Sequence, residues 1–247
     1  MSDVILNRLR DDEDYYGAFG KQFLSNSDIS ALLTNPKQFR SHSDDNVNYA
    51  KGRYFHQLIL EPEKAKDTKF IDVSTRNTKA YKEFIEHHKL PFVMLEKEGE
   101  EIRGCVSSMT QNLAFFEGIR QEGNEYEVPA IKEIYGEMWK GKADIVCSDK
   151  LIDLKTTSKG VPNFKWSAKN FSYDLQAALY LSLFDADEFI FLVVDKDTKD
   201  IGIFECSGDF IERGREKVRQ AMNIYKHFYI DTDPLDSVRN YVLKDVL

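Results

Sequence analysis

The sequence predicts an α/β fold in which a central mixed β-sheet is flanked by helices and preceded by a mainly helical part. Three observations point to it. Over roughly the first 120 residues, apolar side chains recur at helical spacing between helix-ending pairs such as Asn35-Pro36 and Glu61-Pro62. Beyond that stretch the spacing changes to the period of two that strands require. Strand-like and helix-like segments then alternate, an order that sets helices against a sheet. The 247 residues, 42% hydrophobic and 13% aromatic, suffice for a buried core. The expectation is a single domain, 1–247, with a helical part (1–120), an α/β core (121–230) and a C-terminal tail (231–247).

Ser27-Asp28 reads as the cap of a short helix from Ile29 to Leu33. A second helix runs from about Asn48 to Leu60, and Thr78–His88 and Gly99–Ile119 form two more. Glu127–Tyr135, Met138–Cys147 and Leu151–Thr157 alternate as strands, with Ser148-Asp149-Lys150 turning the second onto the third. Phe171–Phe184 is the next helix. Phe189–Val194 and Ile201–Cys206 are strands around the polar turn Asp195–Asp200, and Phe210–Tyr229 is a long final helix. No internal repeat or Pro/Gly-rich linker interrupts this order.

Composition narrows the function classes. No apolar run approaches the ~18 residues that span a bilayer, so no membrane partner is expected. The mixed, acidic start MSDVILNRLRDDEDYYG is not a secretory signal. Cys105, Cys147 and Cys206 are odd in number and widely spaced; they fit no disulfide, zinc or iron–sulfur pattern, and a reducing cytoplasmic location follows as the expectation. The net charge of −8 speaks, by itself, against nucleic-acid binding. It does so less for a protein whose positive charge resides partly in a metal held on carboxylates.

The segment GKADIVCSDKLIDLKTTSK carries the chemistry. A strand turns successive side chains to opposite faces, so Asp153 and Lys155 share one face and Ile152 and Leu154 the other. Asp144 lies on the partner strand of the same hairpin, where cross-strand neighbours stand ~5 Å apart. Two carboxylates and an ammonium held together on rigid backbone suit phosphodiester hydrolysis. The Asp pair can grip Mg²⁺, the ion activates a water, and the Lys positions that water or steadies the developing anion. An isolated D-x-K triplet is better read as a surface pair worth under ~1 kcal/mol. Likewise, His56 in its apolar helix reads first as a core histidine, and the Tyr173/Gln176/Tyr180 row as a helix flank. Context has to decide.

That context is an ordered set of motifs. S-x-S-D-I-S-A-L-L-x-N-P-K-Q-F, G-x-x-x-H-x-x-x-L-E-P-E, F-I-D-V-S-T-R-N-T-K-A-Y-K, G-K-A-D, I-D-L-K-T-T and Y-D-L-Q-A-A-L-Y follow one another from about Ser25 to Phe204. Together they resemble the RecE-type exonucleases, a branch of the PD-(D/E)XK nuclease superfamily alongside the RecB nuclease domain and phage lambda exonuclease. The resemblance implies a restriction-endonuclease-like core. It makes His56, Asp144 and Asp153 metal ligands, with the Leu154 carbonyl as a further one, and Lys155 the catalytic lysine. Gln176 and Tyr180 match the family's Q-x-x-x-Y motif beside the active site, which takes part in catalysis and DNA binding. Of Glu125 and Glu127, which precede the G-K-A-D strand, Glu127 is the better placed as an additional ligand. The cofactor implied is Mg²⁺ or Mn²⁺, one or two ions per site; an imidazole ligand suits manganese.

Tyr173, Lys142, Lys159 and Trp166 join Gln176 and Tyr180 as candidate DNA contacts, with Lys140, Phe164 and Lys165 nearby, because cations interleaved with aromatics steer and stack a strand. The resemblance further implies a processive 5′→3′ exonuclease on double-stranded DNA that leaves 3′ overhangs for recombination. It implies a ring-shaped homo-oligomer, a single-strand annealing protein as partner, and a phage or prophage setting. A single-strand-specific or structure-specific nuclease would share every catalytic residue. A non-catalytic DNA-binding protein of this fold, or a hydrolase of small phosphoesters, are the rivals from other classes.

Overall fold

The computed structural model describes residues 2–41, 46–231 and 238–243. Two short helices open the chain, α1 (Ser2–Leu9) and α2 (Asp12–Tyr16), the second capped by the Asp11 carboxylate, which accepts from the Glu13 and Asp14 backbone N–H groups. α3 spans Asn26–Thr34. Its cap is Ser25, not Ser27-Asp28: Asp28 sits at the third helical position and its carboxylate accepts from the Ser25 backbone N–H. α4 (Val47–Leu60) is capped by Asn46 and stops at Glu61, before Pro62 opens the single turn α5 (Pro62–Ala65). α6 covers Lys79–His88 behind a Thr78 cap. The helix expected over Gly99–Ile119 is two, α7 (Glu96–Gln111) and α8 (Leu113–Arg120). Asn112 breaks it because its side chain accepts from the Phe115 N–H and starts a new helix. A small parallel pair, β1 (Phe70–Ile71) and β2 (Met94–Leu95), joins these helices.

The main sheet holds β3 (Glu125–Ile134), β4 (Glu137–Cys147), β5 (Lys150–Thr157), β6 (Glu188–Asp195) and β7 (Ile201–Glu205), in that spatial order. Only β5 and β6 run parallel, so the sheet is mixed as expected. Tyr135 (φ 55°) and Gly136 (φ 84°) turn β3 into β4, the two left-handed positions that a tight hairpin needs. The parallel pair requires a crossover, supplied by α9 (Phe164–Asn170) and α10 (Tyr173–Phe184). The single helix expected over Phe171–Phe184 therefore starts two residues late: Ser172, at φ 53°, separates it from α9. α11 (Gly208–Tyr225) replaces the expected Phe210–Tyr229, its last turn loosening into π-type bonding over Lys226–Ile230. Much of the tail, 232–237 and 244–247, lies outside the described residues; Val238–Asn240 forms a 3₁₀ turn.

Both faces of the sheet are covered. Ile145, Ile152, Leu154, Leu192 and Val194 pack with Phe55 and Ile59 of α4 and Ile102 and Met109 of α7. On the other face Leu151, Phe191 and Val193 pack with Phe164, Ala177 and Leu181. Leu175, Leu179 and Leu183 form the remaining row of α10, set against Trp139, α3 and α11. α10 is thus buried on nearly every side, as helices without a polar face are.

One irregularity in this sheet positions everything that follows. On β4, Trp139 packs with the α10 leucines and Ala143 with the α10 alanines, yet Ile145 packs on the α4 side. On β3, Ala130 and Ile134 take the α10 side while Tyr126 takes the other. The alternation slips between those positions in both strands. At that slip Glu127 adopts φ 48°, and its place opposite Asp144 is missing from the ladder that resumes at Val128↔Ala143. A left-handed non-glycine residue inside a strand is a costly feature that bends the chain.

Candidate active site

Beyond the bend, β4 and β5 part. Their ladder pairs Cys147↔Lys150, Val146↔Leu151 and Ile145↔Ile152, and there it ends. β5 continues from Asp153 to Thr157 paired only with β6. Asp144 and Asp153 would be the next pair, and they stand instead at the mouth of a fork. Parting leaves the Leu154 backbone N–H without a strand partner, and the Asp144 carboxylate accepts its hydrogen bond at 2.7 Å. The Leu154 carbonyl, freed along with the N–H, faces His56 Nε2 at 2.8 Å. That imidazole arrives from α4 and lies 3.3 Å from Asp144 Oδ2.

Asp153 is 4% exposed. Its Oδ1 accepts from Gln176 Nε2 at 2.6 Å, and its Oδ2 lies 2.5 Å from Lys155 Nζ. That second oxygen is buried, and the Lys155 ammonium is its charged partner. Lys155 Nζ in turn sits 5.0 Å over the Tyr173 ring. Tyr180 packs over Gly141, where an added Cβ would lie 2.7 Å from Leu183 and 3.2 Å from Tyr180; only glycine lets α10 approach β4 here. The Gln176 and Tyr173 side chains thus reach the fork from α10, and His56 reaches it from the opposite side of the sheet.

Electrostatics reflect the crowding. Burial raises the Asp153 pKa and the Asp144 charge raises it further, against the opposing pull of Lys155. Burial works against the Lys155 charge, but Asp153 and Asp144 outweigh it and hold the ammonium protonated. Burial disfavours charge on His56 too, yet Asp144 and the Leu154 carbonyl raise its pKa. Glu127, across from Asp144, is pushed up to about 7, first by burial and then by the Asp144 carboxylate.

Those observations fit a divalent cation. His56 Nε2, Asp144 Oδ2 and the Leu154 carbonyl already converge, the buried Asp153 Oδ2 has the Lys155 ammonium against it, and Glu127, raised by burial and by Asp144, is a carboxylate whose charge a nearby cation would favour. Among the described residues no three His, Cys, Asp or Glu side chains are grouped so that they could hold a metal ion as they stand. Asp153 leans on Lys155 and Gln176 rather than on the other two, as a carboxylate does when its nearest positive charge is an ammonium.

A family described as a PDDEXK-like domain of unknown function matches residues 21–233. The chain belongs to that family. A putative exonuclease from Eubacterium rectale has a similar fold, with a TM-score of 0.63 over 96% of this chain and 95% of the other at 14% identity. A phage-related exonuclease from Haemophilus somnus overlaps 82% of this chain and 93% of its own at 13% identity, with a TM-score of only 0.37. No curated protein matches. The PDDEXK-like core therefore rests on the family match and on the mixed sheet with its flanking helices.

The cations nominated from the sequence are placed unevenly. Lys159, Lys165 and Trp166 are exposed in or beside α9. Lys140 is buried; its ammonium donates to the Tyr15 carbonyl and lies 4.0 Å over the Tyr15 ring, so it is not a surface contact. Lys142, 7% exposed, pairs with Asp12 at 2.7 Å. Phe164 is a core residue at 2% exposure, ringed by Tyr173, Phe191 and Phe204. Lys140 and Lys142, nominated as cations around the hairpin, are aimed instead at the N-terminal segment, which no sequence signal places there. Glu125 is exposed at the strand end, whereas Glu127 faces the fork. Tyr15 and Asp12, held by these lysines, are neighbours that sequence reasoning missed.

Proposed function

We propose that this chain, acting as one domain, is a divalent-metal-dependent deoxyribonuclease, with Asp144, Asp153, Lys155, Gln176 and His56 as its working residues. The observation that supports it best is the fork. The Asp144 carboxylate, the His56 imidazole and the Leu154 carbonyl converge there, and beside them the second carboxylate, Asp153, has a protonated lysine at 2.5 Å. Hydrolysis of a phosphodiester needs a nucleophilic water, a stabiliser for the charge gained by the phosphate, and a fixed line of attack.

A bound Mg²⁺ or Mn²⁺, one or two per site, would supply Lewis acidity and a water of lowered pKa, the role such ions play in PD-(D/E)XK enzymes generally. His56, Asp144, Asp153 and the Leu154 carbonyl would hold it, with Glu127 completing the shell. Lys155, kept charged by its carboxylate neighbours, orients the attacking water and faces the negative charge that builds on the phosphate. Gln176 fixes the Asp153 carboxylate through its 2.6 Å hydrogen bond and so keeps one oxygen aimed into the fork. Tyr173 limits where the Lys155 ammonium sits. Tyr180 closes the α10 side over Gly141.

The finer reading is a 5′→3′ exonuclease on duplex DNA that leaves 3′ overhangs for recombination, in a ring-shaped homo-oligomer, with an annealing protein as partner and in a phage-related cytoplasmic setting. The ordered motifs from Ser25 to Phe204 support it. Its test uses labelled duplex and single strands with one end blocked, with and without EDTA. Degradation of 3′-blocked duplex while 5′-blocked duplex survives is the expected result; cutting of closed circles, or of single strands alone, would replace it with an endonuclease or single-strand activity.

A further inference from the structure

We infer that Phe171 forms a base-stacking subsite next to the catalytic fork, built to hold an unpaired nucleobase of the strand being cut. The inference rests on the nuclease reading and names a part of the substrate that the fork itself does not touch.

Phe171 is 67% exposed. Burying a phenylalanine is worth roughly 1.5–3 kcal/mol, and this ring gives that up in a loop where a polar residue would serve. It is not left loose. Its inner face stacks on Tyr173, with centroids 5.8 Å apart and planes 29° from parallel. Tyr173 is the ring that carries Lys155 Nζ at 5.0 Å. One continuous chain of contacts therefore runs from the catalytic ammonium to an aromatic face open to solvent.

The backbone is shaped for this purpose. Ser172 takes up the left-handed conformation (φ 53°, ψ 46°), a cost of about 1–2 kcal/mol for a residue with a side chain. The bend breaks what would otherwise be one helix into α9 and α10 and turns Phe171 outward. It is held by Lys217, whose ammonium donates to Ser172 Oγ at 3.2 Å and to Asp174 at 2.8 Å. Strain kept in place by a dedicated contact calls for a functional reason. α9, which leads into the ring, also exposes Trp166, at 58%, and Lys165 and Lys169 on its other faces. Aromatic faces between cations are what a single strand binds, because every base has a π-face and every link a negative charge. A base inside a duplex is stacked on both faces, so the subsite selects an unstacked base at a frayed or single-stranded end.

The test uses the full chain carrying Asp153→Asn, which keeps the probe whole, and a short single-stranded oligonucleotide bearing 2-aminopurine near its end. The expected results are quenching of the fluorophore on binding, affinity about ten-fold or more weaker in Phe171→Ala, and retention of both in Phe171→Trp. An oligonucleotide abasic at the stacked position should bind the parent protein as weakly as the normal strand binds Phe171→Ala, and the alanine should cost nothing further on it. Phe171→Ala binding and quenching like the parent overturns the inference. So does an equal loss on the abasic strand, or a change in oligomeric mass without a change in quenching, which would make the ring a contact between copies. Cleavage of unlabelled DNA by the wild-type chain separates the two levels. Activity together with an indifferent Phe171 removes only the subsite, whereas a wild-type chain that neither cuts nor binds the strand removes the nuclease reading and the subsite with it.

Discussion

The β4–β5 hairpin is two structures joined at one residue pair. From its turn to Ile145↔Ile152 it is an ordinary antiparallel ladder, with Ile145, Ile152 and Leu151 sunk in the two cores. One step further the ladder is gone. The Leu154 N–H is satisfied by a side-chain carboxylate instead of a carbonyl, and the Leu154 carbonyl faces an imidazole. The closed end obeys the rule that strands pair their backbone groups. At the open end the strands give up that pairing, and acidic side chains take over the freed positions. Backbone that is normally hidden inside a sheet thereby becomes part of a site, on strands that the closed end still holds rigid.

If that division is right, changes at the open end should strike activity and changes at the closed end stability. Lys155→Met is expected to give the largest effect, a loss of roughly 10²–10³-fold in DNA cleavage, read from initial rates with thermal melting alongside. Ile145→Ala, at the closed end and fully buried, should cost about 2–5 kcal/mol of stability. Denaturant titration checks it, and the folded fraction should retain its cleavage rate per molecule. Gln176→Ala should lower the rate by about 10–100-fold, the usual cost of removing a group that orients a ligand, with little change in melting temperature.

The smallest effect expected is a pH slope. Glu127, with its pKa raised to about 7 from 4.5, binds its proton more tightly in the folded protein. Its contribution to stability is therefore complete below pH 4.5 and is lost as pH rises through 7. The metal-free melting temperature should carry a downward component between those values that Glu127→Gln removes. Saturating Mn²⁺ should remove it too, since the ion takes the place of the proton. An unchanged slope in both cases would put Glu127 outside the cation's reach.

Much of this division was legible in the sequence. Strand alternation put Asp153 and Lys155 on one face and Ile152 and Leu154 on the other, and the structure keeps them so. The period of seven from Tyr173 to Tyr180 brought Tyr173, Gln176 and Tyr180 to one side of α10. Boundaries were misread where a side chain competes with the helix, as Asn112 does in splitting α7 from α8. The slip at Glu127 left no trace, because Glu-Tyr-Glu-Val reads as regular strand and its left-handed residue is not a glycine. The partners of Lys140 and Lys142 are not legible either, because cations interleaved with aromatics mark a segment without telling what covers it. What covers it is Asp12 and Tyr15, more than 120 residues away in the chain.

The central claim is that the open end of the hairpin hydrolyses DNA with a divalent cation. The most direct measurement is a time course of end-labelled linear duplex incubated with the wild-type chain and with Asp153→Asn, in Mg²⁺, in Mn²⁺ and in EDTA. The account predicts degradation by wild type with either metal, none in EDTA, and none by the variant although it still binds the duplex. A wild-type chain inert in both metals, or a variant as fast as wild type, would contradict it.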